Sequence, residues 1–288
     1  MTSVPQIFDR PLLRQRLARA QARGPATFLL DRTAEDLAER LSTVQRPFAD
    51  WLDLGTAGPQ AADVLRAREG TRSVVQWDDS RADLEHPGLA AAAYDGVVSL
   101  LAFQTINDLP GLLTQIRNAL RPDGLFMAAL IGGDTLHELR AALMDAELET
   151  TGGASLRVAP FADVRTLGQL LQRAGFALPV ADSERVIVRY ASPLDLMIDL
   201  RDMGATNALV ARSRKPLRRA TLLRALELYA TRFADADGRL RATFDIVWLS
   251  GWAPHASQQQ PLKPGSAKMK LADALRTMAP PVKTDSKD

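Results

Sequence analysis

The sequence predicts a single α/β domain built on a parallel sheet, and three observations carry that prediction. Short apolar runs alternate with amphipathic helical stretches through the first two thirds of the chain. One run, Tyr94–Leu101 (YDGVVSLL), is nearly continuous in its apolar character, as expected of a strand covered on both faces. DLGTAGP (Asp53–Pro59) sets a glycine turn between an apolar strand and a helix-like run, where nucleotide-type ligands are held.

Each element follows from its residues. Leu12–Ala22 reads as a basic helix. Phe28–Val44 repeats Leu29, Leu30, Leu37 and Leu41 with charged residues between, an amphipathic helix. Asp50–Leu54 is a short strand, Gln60–Arg68 a helix and Thr71–Trp77 a second strand. Tyr94–Leu101 is the third. Asp108–Leu120 is a helix, with Asp108 as N-cap and Pro110 in its first turn. RPDG (Arg121–Gly124) is a turn before a fourth strand, Leu125–Ile131. Helices follow over Thr135–Thr150 and Asp163–Ala174, the second closed by Gly175. Glu184–Tyr190 is a strand. The rhythm then changes: Ser192–Met203 and Leu217–Phe233 are successive helices, ADADG (Ala234–Gly238) is a hairpin-type turn, and Ala242–Leu249 is the last strand.

Composition bounds the function. The chain has 288 residues, 46% hydrophobic and 24% charged, enough for a sizeable core. Net charge is +2. The basic residues are scattered arginines with one denser run at Arg212–Arg219, so no nucleic-acid partner is expected. There are no cysteines, which excludes disulfides, iron–sulfur clusters, thiolate zinc sites and cysteine nucleophiles. The three histidines, His86, His137 and His255, form no H-x-D or H-x-E pair, so no metal site is expected. No apolar run approaches the ~20 residues that span a bilayer. The arginine-rich N-terminus resembles a transit peptide in composition but lacks a secretory apolar core. A cytoplasmic protein is expected, or a mitochondrial matrix protein in a eukaryote.

The candidate cofactor site collects at the carboxyl ends of the strands. Asp53, Gly55, Thr56 and Ala57 form the first segment, where Gly55 allows a tight turn and close backbone approach. Asp78, 23 residues beyond Gly55 (78 − 55), is placed to accept both hydroxyls of a ribose. Asp83 could face an adenine amino group, and Ser99 on the third strand completes the set. Taken singly, Gly55 and Gly58 read equally well as turn glycines, and Asp78 as a solvated acid. The dinucleotide pattern G-x-G-x-x-G is absent. An acid two residues before the glycine suits an S-adenosylmethionine loop, in which the acid holds the amino-acid end of a cofactor that carries no phosphate.

Together with IFDRPLLRQR (Ile7–Arg16), NDLP (Asn107–Pro110), LRPDGLF (Leu120–Phe126), GGDTLHELR (Gly132–Arg140), AGF (Ala174–Phe176), DLMIDLRDMGATNAL (Asp195–Leu209), Gly251, Trp252, His255, Ser257, Gln258 and GSA (Gly265–Ala267), this loop carries a resemblance. The chain resembles, nearly end to end, the S-adenosylmethionine methyltransferase-like assembly factor of respiratory complex I and its bacterial relatives. The resemblance implies the class I methyltransferase fold, Rossmann-like, with a seven-stranded sheet, its last strand antiparallel and a helical insert before it. It implies S-adenosylmethionine as cofactor. It further implies modification, by hydroxylation or methylation, of an arginine on a quinone-side complex I subunit, a role compatible with peripheral membrane association. The family loop Gly-x-Gly-x-Gly is here Gly55, Ala57 and Pro59, and a histidine common after the third strand is Gln104. Both departures bear on cofactor affinity, as does the shortened segment between Asp83 and Tyr94. They also leave open a non-catalytic assembly chaperone, while the fold alone admits a small-molecule carboxyl methyltransferase.

The organisation expected is a basic arm over residues 1–25, a methyltransferase-like domain over 26–275 with a helical lid insert at 191–235, and a disordered tail over 276–288. With the last strand antiparallel, the insert emerges on the cofactor side, as a lid, a partner-docking surface or a packing elaboration. Arg212, Arg214, Lys215, Arg218 and Arg219 also read as a solvated face. The substrate-side candidates are Asp134, Asn107 and Gln104. Asp134 reads either as the N-cap of the helix opened by GGDT or as a bidentate partner for a substrate guanidinium. Arg140, two residues after Glu138, is expected to face water.

Overall fold

A computed structural model describes residues 4–77 and 83–258; the expected tail at 276–288 and the candidate Asp78 lie outside the described residues. The chain divides into Met1–Pro254 and His255–Asp288. In the second unit the described residues make a turn, with His255 Nδ1 2.6 Å from Ser257 Oγ. The first unit contains, in order, α1 (Arg10–Arg23), α2 (Phe28–Ser42), β1 (Asp50–Leu54), α3 (Gln60–Ala67), β2 (Ser73–Trp77), β3 (Tyr94–Leu100), α4 (Leu109–Ala119), β4 (Leu120–Gly132), α5 (His137–Thr151), α6 (Val164–Arg173), β5 (Ala177–Tyr190), α7 (Pro193–Asp202), α8 (Arg219–Phe233) and β6 (Leu240–Trp252). The helical starts follow their caps: Asp108 accepts from Gly111 N at 2.9 Å and Asp163 from Thr166 N at 2.8 Å.

The sheet runs β2-β1-β3-β4-β6-β5. Strands β1 to β4 are parallel, and β6 lies antiparallel between β4 and β5. The antiparallel last strand therefore stands as expected. The strand count does not: six strands are found among the described residues, rather than seven. Six is also the number legible from the apolar runs themselves. Residues 83–93 are spent on two turns, at Leu84–His86 and Ala91–Ala92, and leave no length for another strand.

Side-chain alternation sorts the core into layers. Leu52, Leu54, Val97, Val247 and Leu249 pack on one face with α4 and α6. Trp51, Val98, Leu100, Ile246 and Trp248 pack on the other, with α2 and α3. On that second face Ala242 and Phe244 continue into a cluster with α5, α7 and α8. Such double coverage explains why β1 is buried along its whole length.

Two local expectations are corrected. RPDG is not a turn before the strand but a bulge within it: β4 already pairs at Leu120, Asp123 has φ 64°, and the register slips between Tyr94 and Gly96. Arg121 there bridges Asp50 at 2.9 Å and Asp95 at 2.7 Å, closing the bottom of the sheet. Asp134 is not a helix cap. Helix α5 begins at His137, behind Leu136 at φ 55°, and no side chain caps it. Instead GGDT docks on β6: Asp134 N donates to Asp245 Oδ2 at 2.9 Å, Asp245 N to Thr135 Oγ1 at 2.8 Å, and Leu136 N to Thr243 O at 2.8 Å. The Asp245 carboxyl is pushed up by burial, but Arg185 at 2.7 Å and the Asp134 N–H outweigh this and hold it below its ordinary range. Gly133 sits at φ 55°, and a Cβ there would meet Asp245 Oδ2 at 2.7 Å.

Substitution Gly133→Ala is expected to cost about 1–3 kcal/mol, from left-handed backbone strain and displacement of the Asp245 carboxylate. Gly153→Ala, where a Cβ meets nothing within 4 Å, is the control and should change urea stability by less than about 0.5 kcal/mol. Equal losses in the two variants would contradict this account of the turn.

Candidate functional site

The site begins where three parallel strands end together. Leu54 pairs with Trp77, and Asp53 with both Gln76 and Val98. Beyond Leu54 the chain turns at Gly55, whose φ is 83° and whose N–H donates to Trp77 O at 2.9 Å. A Cβ at Gly55 would lie 2.8 Å from Leu84 Cδ2. The turn thus needs glycine for both conformation and space. Thr56 Oγ1 accepts from Leu100 N at 3.1 Å and ties the loop to β3. Pro59 takes the N-cap position of α3 at φ −79°, ψ −12°, and its carbonyl accepts from Asp63 N at 2.9 Å. It begins the helix without disturbing it.

Asp53 is the chemically distinctive group. Only 1% of the residue is exposed. Its Oδ2 lies 3.4 Å from Gln76 Nε2, and its Oδ1 makes no hydrogen bond of standard geometry among the described residues, although the Thr56 hydroxyl and N–H face the carboxyl and, with Gln76, offset part of the burial. Burial raises the carboxyl to about 6, against an ordinary 3.8. A buried, half-satisfied carboxylate beside a glycine turn is a natural seat for a ligand ammonium.

The other candidates fall in different places. Ala57 stands in the cavity wall beside Gly55, and its carbonyl accepts from Gln21 Nε2 of α1. Asp83 is on the rim, accepting from Glu85 N at 3.2 Å and lying 3.8 Å from Arg10 Nε. Ser99 is fully buried with an unpartnered Oγ, but strand alternation puts it on the face of the sheet opposite Asp53. Gln104 donates from Nε2 to Leu101 O at 2.6 Å, which leaves Oε1 as an unpartnered acceptor on a residue of the cavity wall. Asn107 is a clamp on the N-terminal segment: Oδ1 accepts from Ile7 N and Phe8 N at 2.8 Å, and Nδ2 donates to Phe8 O at 3.2 Å. Asp134 meets a guanidinium belonging to this chain, Arg185 at 3.4 Å, and its side chain is 72% exposed. Arg140 does not simply face water; Nη2 donates to Thr135 O and Ala159 O, each at 3.2 Å.

Facing this edge is a cavity of about 960 Å³. Gly55, Ala57, Leu100 and Gln104 line one side, and α1, α7 and residues 204–214 form the opposite wall. An apolar end is built from Leu136, Leu139, Leu143, Phe161 and Met197. Its size is at the upper end for a ligand pocket, with space for a cofactor and an acceptor. The charged lining is one-sided: Arg10, Arg16, Arg157, Arg201, Arg212 and Arg214 against Asp202. Arg10 and Arg16 received no role from the sequence. Arg10 is 7% exposed, donates to Thr105 Oγ1 at 3.3 Å and lies within 4.0 Å of Glu85. Arg16 donates to the carbonyls of Thr206 and Asn207; burial, then the nearby Arg212, lowers its pKa. The available signal was positional: α1 carries five arginines and no acid, an unusual pattern for a helix with only solvent to face.

The Asp53 proton has a calculable consequence. Its folded pKa lies above the unfolded one, so the native state keeps a proton that the unfolded chain loses between about pH 4 and 6, and stability falls with rising pH across that window. Asp53→Asn should therefore raise urea stability by about 1–3 kcal/mol near pH 7.5 and give almost no gain near pH 3.5. A destabilised variant at pH 7.5 would contradict the burial of an unpaired carboxylate.

Comparison with known proteins agrees with this geometry. A family described as "Methyltransferase domain" matches residues 27–179. The chain is similar to the mitochondrial arginine hydroxylase NDUFAF5 of Danio rerio, 36% identical over 93% of this chain and 89% of that one. It is also similar to the Homo sapiens protein of the same name, 35% identical over 96% of this chain and 86% of that one. A malonyl-[acyl-carrier protein] O-methyltransferase of Laribacter hongkongensis is 33% identical over 89% of this chain and 94% of its own length. The chain therefore belongs to the methyltransferase-domain family, in the group that includes the arginine hydroxylases.

Proposed function

We propose that this protein is an S-adenosylmethionine-binding enzyme of the methyltransferase fold that hydroxylates an arginine of a protein subunit during maturation of NADH dehydrogenase. The observation that carries the reading is similarity to arginine hydroxylases over 93% and 96% of this chain, with a glycine turn in the cavity wall that suits the cofactor. Asp53 Oδ1 is a buried acceptor without a well-formed hydrogen bond among the described residues; it lies behind Gly55, which lines the cavity and keeps side-chain atoms out of the turn between them. Asp53 would hold the cofactor's amino group, with Gly55, Thr56 and Ala57 forming the backbone cradle. When bound, S-adenosylmethionine supplies an electrophilic methyl group on a sulfonium.

A methyl group does not oxidise carbon, so hydroxylation would also require dioxygen and a two-electron donor from outside the chain; this chain's own residues bind and orient. Helix α1 and the 204–214 segment form one wall of the cavity, which keeps an open mouth. Gln104 Oε1 offers an acceptor to an N–H donor of the acceptor group. The acceptor is read as a quinone-side subunit of complex I, met in the bacterial cytoplasm or, in a eukaryote, in the mitochondrial matrix. Among the described residues no helix is long and apolar enough to cross a membrane, so any membrane contact of these helices would be peripheral.

A second reading, carboxyl methylation, is favoured by the arginine-rich lining, which suits an anionic acceptor, and by the malonyl-[acyl-carrier protein] O-methyltransferase relative. Mass spectrometry of the complex I subunits from a deletion strain separates the two. The proposal expects one arginine to lose the mass of a single oxygen atom. Loss of a methylene, or an unchanged subunit, would overturn hydroxylation. In parallel, calorimetry should show S-adenosylmethionine binding to the wild type, weakened at least about tenfold by Asp53→Asn, as expected for loss of a charge-assisted hydrogen bond.

A further inference from the structure

The chain's charges are segregated. Residues 10–30 hold Arg10, Arg14, Arg16, Arg19 and Arg23, and residues 203–226 hold Arg212, Arg214, Lys215, Arg218, Arg219 and Arg224. These two stretches contain eleven cations and none of the chain's 34 acids. They are far apart in sequence and joined in space. Asp9 N donates to Ala208 O at 2.8 Å, Phe8 bridges Leu209, and Arg16 donates to Thr206 O at 2.8 Å. Arg16 feels both Arg212 and Arg19 as neighbouring charges. Both stretches also line the cavity, through Leu13 and Leu17 on one side and Ser213, Arg214 and Leu217 on the other.

The inner cations are already committed. Arg10 pairs with Asp83 and Glu85, Arg23 with Asp202, Arg212 with Asp9, and Arg224 with Glu149 and Glu227, while Arg16 is spent on carbonyls. The remaining six, Arg14, Arg19, Arg214, Lys215, Arg218 and Arg219, have no ion pair among the described residues. Several surface arginines elsewhere are neutralised, Arg32 by Glu184, Arg40 by Asp182, Arg189 by Asp235 and Asp237, Arg232 by Asp145, while Arg165, Arg173 and Arg239 have no ion pair among the described residues but are scattered along the chain rather than clustered. An uncompensated cluster of like charge is a cost to the isolated fold and an asset to an encounter.

The geometry points to a docking rim around the cavity mouth that receives an acidic surface of the acceptor protein, with the modified group passing inward. Guanidinium forks without carboxylates match clustered Asp and Glu side chains bidentately. A bilayer is the poorer match, because Leu13, Leu17 and Ala20 of α1 line the cavity rather than the outer surface, and the exposed apolar residues beside the rim, Ile7 and Val210, are too few to insert. This inference rests on the reading of the site as one that acts on a protein.

The test uses the full chain and a fluorescein-labelled peptide of roughly 20 residues rich in glutamate, followed by anisotropy. Two charge-reversal variants sample the two halves of the rim: Lys215→Glu with Arg218→Glu and Arg219→Glu, and Arg14→Glu with Arg19→Glu. Acids at the start of α8 suit the helix dipole, so the first variant should fold. The wild type should bind the peptide, weaken at least about tenfold between low and roughly 0.3 M salt, and ignore a lysine-rich peptide of equal length. Each variant should lose at least about tenfold while keeping the wild-type affinity for S-adenosylmethionine. Undiminished peptide binding by both variants, no binding by the wild type, or binding to phosphatidylglycerol vesicles in preference to the peptide would overturn the rim. Peptide binding without S-adenosylmethionine binding would instead sink the proposed function and leave the rim standing.

Discussion

A carboxylate removed from water must be paired, protonated or relieved by a ligand, and the arrangement around Asp53 follows from that constraint. The residue is fixed in the central part of the sheet, between Gln76 and Val98, where it cannot swing out to solvent. One of its oxygens has a long contact with Gln76; the other makes no well-formed hydrogen bond among the described residues, and the nearby Thr56 offsets only part of the burial. The sheet supplies rigidity, and Gly55, two residues on, is the part of this turn that reaches the cavity wall. The free protein therefore carries an electrostatic cost at neutral pH that a bound cationic group would remove. Stability surrendered at a site for the sake of binding is the usual exchange in enzymes.

Around this point the rest of the molecule provides enclosure. Helix α1 is held at its beginning by Asn107 and Asp9, along its length by Arg16, and near its end by Gln21 on the Ala57 carbonyl. The insert enters between β5 and β6 because β6 runs antiparallel, which returns α7 and α8 to the edge where β1 to β4 end. The GGDT turn, locked onto Asp245 of β6, sets Thr135 and Leu136 into the cavity wall. Arm, insert and turn are distant in sequence yet close one space.

The fold was legible because its strands are short, apolar and separated by readable caps. Asp50–Leu54 was bounded to the residue, and Asp108, Asp163 and Gly175 marked helix ends where they stand. Local logic failed where tertiary contacts took over. RPDG has the composition of a turn, but pairing on both sides drew it into β4 as a bulge. Asp134 has the position of a cap, but its amide was claimed by Asp245 and its carboxylate by Arg185. In the site, Asp53, Gly55, Thr56 and Ala57 could be read because they adjoin one another. Arg10 and Arg16 could not, since the partners that give them meaning lie about 75 to 190 positions away. Asn107 was visible as a polar residue before a helix, yet its role as a clamp needed the far end of the chain.

The most direct measurement is the titration of the Asp53 side-chain carboxyl by carbon-13 NMR, in the free protein and with saturating S-adenosylmethionine. The account predicts a midpoint near 6 in the free protein and a fall of at least about two units on binding, as a cationic group settles against the buried oxygen. A midpoint near the ordinary value of 3.8 in the free protein, or one that ignores the cofactor, would contradict it.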